Sequence, residues 1–403
     1  MNVLYTKPGE SYKWYVLGLA SLTHTLVVAM PVMCMPVLFK EISGDLGLSL
    51  VQVGTIWGVA SVSGMFTGLA GGSLGDRFGI RHTVSITCLL AGVAGAARGL
   101  SGDFVTLTVT SFVFGLLPPA VTPNIHKTCG IWFPGKRLGM ANGVVSAGMA
   151  LGFMLGSLLS STVLSPWLGG WRNVLLFYGA ISVVVSLPWW KVRSSPDDSP
   201  THEGSTRSLR KALSHIGSLK SVWAYGLIML GIGSCIQGVL GYLPLYLRAL
   251  GWAGARADGA LATFHGVSLV FTIPIALLSD RLGSRKGILV VATVMTTVGV
   301  GFLSIAHGMT IWALVLLAGI VRDGYMAVFM TMVIETEGIG AKYAGTAMGM
   351  IVILYRFGGF ISPPLGNSLA AIDLGLPFIF WAASATLAFL GLYFVKERTP
   401  GHV

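Results

Sequence analysis

The chain has 403 residues, of which 54% are hydrophobic and only 10% are Asp, Glu, Lys or Arg. A water-soluble domain carries about 25% charged residues, so a chain of this length and composition cannot cover a water-facing surface and reads as a protein of the lipid bilayer. The formal net charge of +11 does not point to nucleic acid, because the basic residues sit between apolar runs with no basic face and no interleaved aromatics.

Apolar runs long enough to cross a bilayer, about 20 residues each, recur along the whole sequence. In chain order they fall at 14–39, 49–72, 83–101, 104–131, 138–165, 172–192, 220–247, 257–279, 287–307, 309–334, 343–369 and 376–395. The opening MNVLYTKPGESYKW is polar and lacks a cleavage-site pattern. The first run is too long for a signal peptide and is taken as the first span. Connections are short except 194–218, SSPDDSPTHEGSTRSLRKALSHIGS, which is polar, rich in Ser and Pro, and reads as a cytoplasmic linker. The expected fold is an all-α membrane protein: twelve transmembrane helices in two pseudo-symmetric six-helix bundles, 1–193 and 219–403. Cys34, Cys88, Cys129 and Cys235 all lie inside apolar runs. They read as small hydrophobes, and no metal or redox spacing appears.

Loop charge sets the expected orientation. Eighteen of the 26 Lys and Arg fall on the side that carries both termini and the linker. Lys40, Arg98, Arg172, Arg248 and Arg256 fall on the other side, and Lys127, Arg322 and Arg356 lie within spans. Both termini are therefore expected in the cytoplasm, with the chain in a bacterial- or archaeal-type inner membrane.

The two halves repeat. GSLGDRFGIRH at 72–82 matches ALLSDRLGSRKG at 276–287, which aligns Asp76 with Asp280, Arg77 with Arg281 and Gly79 with Gly283. GKRLGMANG at 135–143 matches AKYAGTAMG at 341–349, and MPVLFK at 35–40 matches LPLYLR at 243–248 more weakly. Two halves of six spans in the same orientation imply a parallel repeat about an axis along the membrane normal, with a site at their interface near the midplane.

These loop motifs resemble the signature of the major facilitator superfamily, G-x-L-x-D-R-x-G-x-R between spans two and three and echoed between spans eight and nine. WFPGKRLGMANG (132–143) is similar to that family's connection between spans four and five. In having basic residues embedded in spans of its second half, Arg322 and Arg356, the chain resembles the family's organic-anion and monocarboxylate-type branches. The resemblance implies alternating access by a secondary transporter that works as a monomer. It implies that Asp76, with Arg77 and Arg81, latches the halves in the outward-open state, with Asp280 and Arg281 as the weaker counterpart. Two departures speak against a drug exporter. Ser111 stands where the family's fourth span often carries an Arg, and the fifth span, GVVSAGMALGFMLGS (143–157), lacks a Gly-Pro pair. Gly148, Gly152 and Gly156 give small-xxx-small spacing, read as close helix packing.

A charge at the bilayer centre costs roughly 2.5–3.5 kcal/mol on insertion scales, so Arg322, Asp323 and Arg356 at mid-depth carry the main functional signal. By the repeat offset, Arg322 and Asp323 stand where the first half has Pro118 and Pro119. One reading is a structural ion pair of Asp323 with Arg356 or Arg322. The other is a site for an anion, since the three charges sum to +1 and an Arg fork suits a carboxylate. Adjacent helix residues point about 100° apart, so Arg322 and Asp323 are not expected to face one point. Tyr355, Gln237, Tyr325, Asn124, His24 and His265 complete the candidate lining, with Tyr242 beside them. If transport is proton-coupled, the proton rides on Asp323, on His24 or another His, or on the substrate. His126 and Lys127 extend the polar cluster at Asn124, with Lys127 free to snorkel to the headgroups. Glu335 and Glu337 read as solvated. No nucleophile motif, metal cluster, phosphate loop or cofactor signature appears. The partners expected are a small, anionic substrate, a coupling proton and the bilayer. An exporter of amphipathic or hydrophobic compounds is the alternative reading.

Overall fold

In the computed structural model, residues 10–68, 74–75, 77–192 and 206–395 are described. Twelve helices there are long and apolar enough to cross a membrane. They are α1 (Ser11–Leu46), α2 (Leu50–Thr67), α3 (Ile80–Gly99), α4 (Phe104–Trp132), α5 (Leu138–Leu168) and α6 (Trp171–Lys191), then α7 (Lys220–Ala249), α8 (Gly254–Leu282), α9 (Arg285–Ser304), α10 (Met309–Glu335), α11 (Tyr343–Leu369) and α12 (Leu376–Phe394). The spans agree with the apolar runs, but α1 continues past Lys40, carrying Glu41 and Asp45 beyond the apolar stretch. Large side chains such as Val105, Val184, Ile273 and Phe394 stay exposed on the outer faces, as a lipid-facing surface requires.

Local sequence explains the breaks. Pro118 and Pro119 lack backbone donors and push the preceding residue out of the helical region, and α4 is interrupted at Leu116 and Leu117. The helix before that break starts on Asp103, whose carboxylate accepts the Thr106 amide at 2.9 Å in a capping box. That bond holds the exposed Asp103 carboxyl below the usual carboxylate range. At mid-depth α1 widens into a π-helical turn at His24–Ala29. The repeated glycines of the signature loops, Gly79 and Gly283, both take positive φ, +80° and +63°. This is the tight turn that only glycine makes cheaply.

The packing obeys the repeat. Within the first half α1 packs on α5, α2 on α4 and α3 on α6; within the second α7 packs on α11, α8 on α10 and α9 on α12. Across the halves, α2 meets α11 and α5 meets α8, two contacts related by the same pseudo-two-fold, while α1 meets α7 on the axis. The small-residue stripe of α5 serves packing. A Cβ built on Gly152 would lie 2.6 Å from the Ala29 Cβ and 2.7 Å from the Thr25 carbonyl oxygen.

The second part of the polar linker is ordered as a helix. Thr206–Ser218 is helical, because this stretch holds no Pro and Leu209, Ala212, Leu213 and Ile216 recur at helical spacing. Ile216 is buried, and the His215 Nε2 lies 3.0 Å from the Gly338 carbonyl at the end of α10. Residues 193–205 lie outside the described residues.

The Gly152 contact is directly testable. Gly152→Val forces α5 off α1 and should lower the melting temperature in detergent, at a cost of about 1–3 kcal/mol. An unchanged melting curve would refute the close approach.

Candidate functional site

The central face of α10 lies where α4 is broken by proline, and there it stays helical and carries Arg322 and Asp323. The Arg322 guanidinium folds back onto its neighbour, with Nη1 3.2 Å from the Asp323 carboxylate. The two residues point about 100° apart along the helix, and the Arg side chain is long enough to bend back across that step, forming one of the two ion pairs considered. The same Nη1 lies 3.1 Å from the His265 Nδ1 on α8. The guanidinium sits 5.5 Å from the Phe153 ring centre and 5.9 Å from that of Phe264. Phe153 belongs to α5, so the first half supplies one wall of the pocket around a second-half cation. The Asp323 amide donates to the Ser268 hydroxyl at 3.0 Å, which ties α10 to α8 at the same level.

Arg356 lies on the opposite flank, where α11 crosses α2. Its Nη1 is 3.5 Å from the Ser61 carbonyl oxygen. The notch that receives it exists because residue 64 is glycine: a Cβ there would lie only 2.1 Å from Arg356 Nη1 and 3.1 Å from the Pro119 ring. Among the described residues no carboxylate pairs with Arg356, and its Nε has no partner. The pairing of Asp323 with Arg356, one of the two ion pairs expected, is not formed; Asp323 pairs with Arg322. Tyr355 packs against α7 at Gly233, where a Cβ would meet its ring at 2.7 Å. Gln237 is half-buried beside Gly359, and its carbonyl accepts the Trp57 indole N–H at 2.7 Å.

Three expected lining residues turn elsewhere. Tyr325 is buried, its hydroxyl 3.3 Å from Thr293 on α9 and its ring stacked on Phe329, inside the second bundle. Asn124 donates to the Ala120 carbonyl at 2.7 Å and packs its amide against Gly75 of the signature loop. His24 is fully buried between α1, α4 and α5, its Nδ1 3.4 Å from the Val145 carbonyl and its ring 5.6 Å from that of His126. His126 in turn contacts Asn142 at 3.0 Å.

Of the expected gating residues, Asp76 lies outside the described residues. Arg77 is exposed with its guanidinium 5.3 Å over the Phe78 ring, Arg81 is half-buried and Arg281 is exposed. Asp280 accepts from Arg285 at 2.9 Å, and Arg285 also forks onto Glu335 at 2.6 and 2.8 Å. Glu335 is thus engaged rather than simply solvated, and this network ties the loop between α8 and α9 to the end of α10.

The halves are joined at the end away from the termini. The hydrogen bonds that cross between them among the described residues run from there to mid-depth: Asn367 to the Leu50 carbonyl at 2.8 Å, Arg248 to Ser161 at 3.1 Å, Trp57 to Gln237, and Arg356 to Ser61. Sequence reading placed Arg248 and Arg98 among far-side loop charges and passed over Asp258; the structure corrects this. Arg248 pairs with the buried Asp258 at 2.7 Å, and Glu41 accepts from Ser165 at 2.5 Å nearby. Arg98 is buried, donates to the Pro31 carbonyl at 3.0 Å and lies 3.8 Å over the Phe114 ring. The aligned positions Lys40 and Arg248 were the available signal, since the repeat marks that level as a helix end rather than a loop.

The profile of the Major Facilitator Superfamily matches residues 19–363 and 247–403. The chain is 24% identical over 345 residues to a probable sulfoacetate transporter of Cupriavidus necator, covering 79% of this chain and 78% of that one. It is 25% identical over 403 residues to a probable nitrate/nitrite antiporter of Thermus thermophilus, covering 90% and 86%. Its fold matches, with a TM-score of 0.78 at 16% identity, a bacterial homologue of the human lysosomal transporter Spinster in an inward-facing, unoccupied conformation, over 96% of this chain and 97% of that one.

Breaking one partner of a buried ion pair costs roughly 3–5 kcal/mol, whereas replacing both with apolar residues costs far less. Asp258→Asn is therefore expected to lower the melting temperature markedly, and the double variant Arg248→Met with Asp258→Leu to recover much of the loss. Equal stability of Asp258→Asn and the unmodified chain would show that the pair is not sealed from water.

Proposed function

This chain belongs to the Major Facilitator Superfamily, and from that premise we propose that it is a secondary active transporter of a small organic anion, working by alternating access. The observation that carries the reading is the uncompensated cation at the interface of the halves. Asp323 neutralises Arg322, and Arg356 faces no carboxylate among the described residues. A guanidinium in a low-dielectric gap needs a counter-charge, and a carboxylate or sulfonate oxygen pair fits its planar fork. Two relatives whose names specify anions, sulfoacetate and nitrate/nitrite, support the same class.

In this reading Arg322 and Arg356 hold the anion from opposite flanks of the gap between the halves. Tyr355 and Gln237 line the approach, and Phe153 and Phe264 keep water from the Arg322 guanidinium. A monocarboxylate is the simplest ligand of this kind. Asp323 competes with the anion for Arg322, so it sets the affinity and is one place for a coupling proton; His24, beside His126, is another. The signature-loop residues Asp76, Arg77 and Arg81 act as the gate, with Asp280 and Arg281 in the second half. The excess of Lys and Arg beside the termini and the linker supports a cytoplasmic position for both, by the rule that such loops stay inside; the reading is of a monomer in an inner membrane.

The test is uptake into proteoliposomes of labelled acetate, lactate, benzoate, sulfoacetate and nitrate. At least one should enter saturably and show counterflow. Arg322→Gln and Arg356→Gln should each lose most of that uptake while keeping expression and melting temperature near those of the unmodified chain. Normal transport by both variants would remove the anion argument. Unfolding of both would make the arginines structural.

A further inference from the structure

We propose that His265 takes up the proton that accompanies the anion, by changing from acceptor to donor at Nδ1 when the anion enters beside Arg322. This deepens, and rests on, the anion reading above. A guanidinium can only donate hydrogen bonds, so the 3.1 Å contact between Arg322 Nη1 and His265 Nδ1 makes Nδ1 an unprotonated acceptor. The ring is then neutral, with its hydrogen on Nε2. That atom is buried and has no partner among the described residues.

The surroundings of the ring are sparse. From α10 it faces Arg322, and through it Asp323, 3.2 Å from the guanidinium. From α5 it faces the Phe153 ring at 5.4 Å, and on its own helix Phe264 at 5.8 Å. Among the described residues no other charged side chain contacts it, and the imidazole is fully buried.

A carboxylate or sulfonate oxygen only accepts. Drawn to Arg322, it meets a donor on one side and the Nδ1 lone pair on the other, and the second contact is repulsive. A proton on Nδ1 turns that contact into a hydrogen bond and sets a positive imidazole against the new negative charge. The anion thereby offsets the Arg322 charge that otherwise opposes a second cation beside it. Anion and proton must each tighten the binding of the other by the same factor. Arg322, Asp323 and a neutral His265 sum to zero on this flank, and with Arg356 the empty site carries +1; one proton per single negative charge leaves that total unchanged on loading. Asp323 is the weaker acceptor of this proton because its carboxylate is 34% exposed, so water solvates it when Arg322 turns to the anion. His24 makes its contacts inside the first bundle, with Val145 and His126.

The experiment uses the purified full chain in weakly buffered detergent solution. The ligand is the anion of the uptake panel that the unmodified chain transports fastest, and a pH indicator reads proton exchange. Binding should consume about one proton per anion near neutral pH. Over that same pH range the apparent affinity should fall about tenfold for each pH unit, since the slope equals the number of protons taken up. His265→Asn keeps an acceptor oxygen near Nδ1 for Arg322 but cannot hold a proton. It should bind the anion several-fold more weakly, with no proton uptake and a pH-independent affinity. Asp323→Asn should still take up the proton, whatever its affinity. Binding by the unmodified chain without proton uptake would overturn the proposal, because a tautomer switch alone would then suffice. Uptake that survives in His265→Asn but vanishes in Asp323→Asn would overturn it equally. Failure of every panel anion to bind would instead overturn the anion reading beneath it.

Discussion

Hydrocarbon in place of water is the constraint from which the rest of this structure follows. Backbone polar groups must be paired within each span, so the chain is helical wherever it crosses. Side-chain charge must find a partner or a purpose, and the described residues show both outcomes. Arg98 meets a carbonyl and an aromatic face, and Arg248 meets Asp258. Arg322 has a carboxylate beside it and an imidazole across from it. Arg356 has a backbone oxygen at 3.5 Å and a glycine-made notch. These cations are thus satisfied to different degrees, from the sealed pair of Arg248 to the open fork of Arg356.

The duplicated halves put different chemistry at one level. In α4 that level is a proline break, and in α10 it is an unbroken turn carrying a base and an acid. A helix broken by proline can bend and yields room; a helix that stays whole can aim a guanidinium. The pseudo-two-fold therefore supplies the frame twice, and departure from it puts the mid-depth charges of α10 in one half alone.

The spans were legible in the sequence because a bilayer sets a length that no periodicity argument is needed to detect. The repeat was legible because the two signature turns demand glycine at the same place, Gly79 and Gly283. The three mid-depth charges were legible by cost alone. What the sequence did not carry was direction. Nothing in the pattern around Tyr325 separates a cavity-lining hydroxyl from one that bonds Thr293. Asn124 sits in a polar cluster whether it faces a substrate or the signature loop. Phe153 is one more aromatic in an apolar run, and its place over Arg322 depends on how α5 meets α8. Arg248 reads as a loop charge because its helix continues beyond the apolar stretch, so the end of a hydrophobic run is not the end of a span.

The crossing of α2 and α11 carries a last consequence. Gly54 and Gly58 lie beneath the backbone of Pro363 and Phe360, so at these two positions one backbone rests on the other helix with no side chain between. Glycine has no rotamers to freeze, and proline has almost none. Parting and rejoining such surfaces therefore exacts little conformational entropy at each cycle. Under the proposed alternating access the joint acts as a bearing rather than as glue, and the polar contacts to be exchanged across it are Asn367 with Leu50 and Arg356 with Ser61.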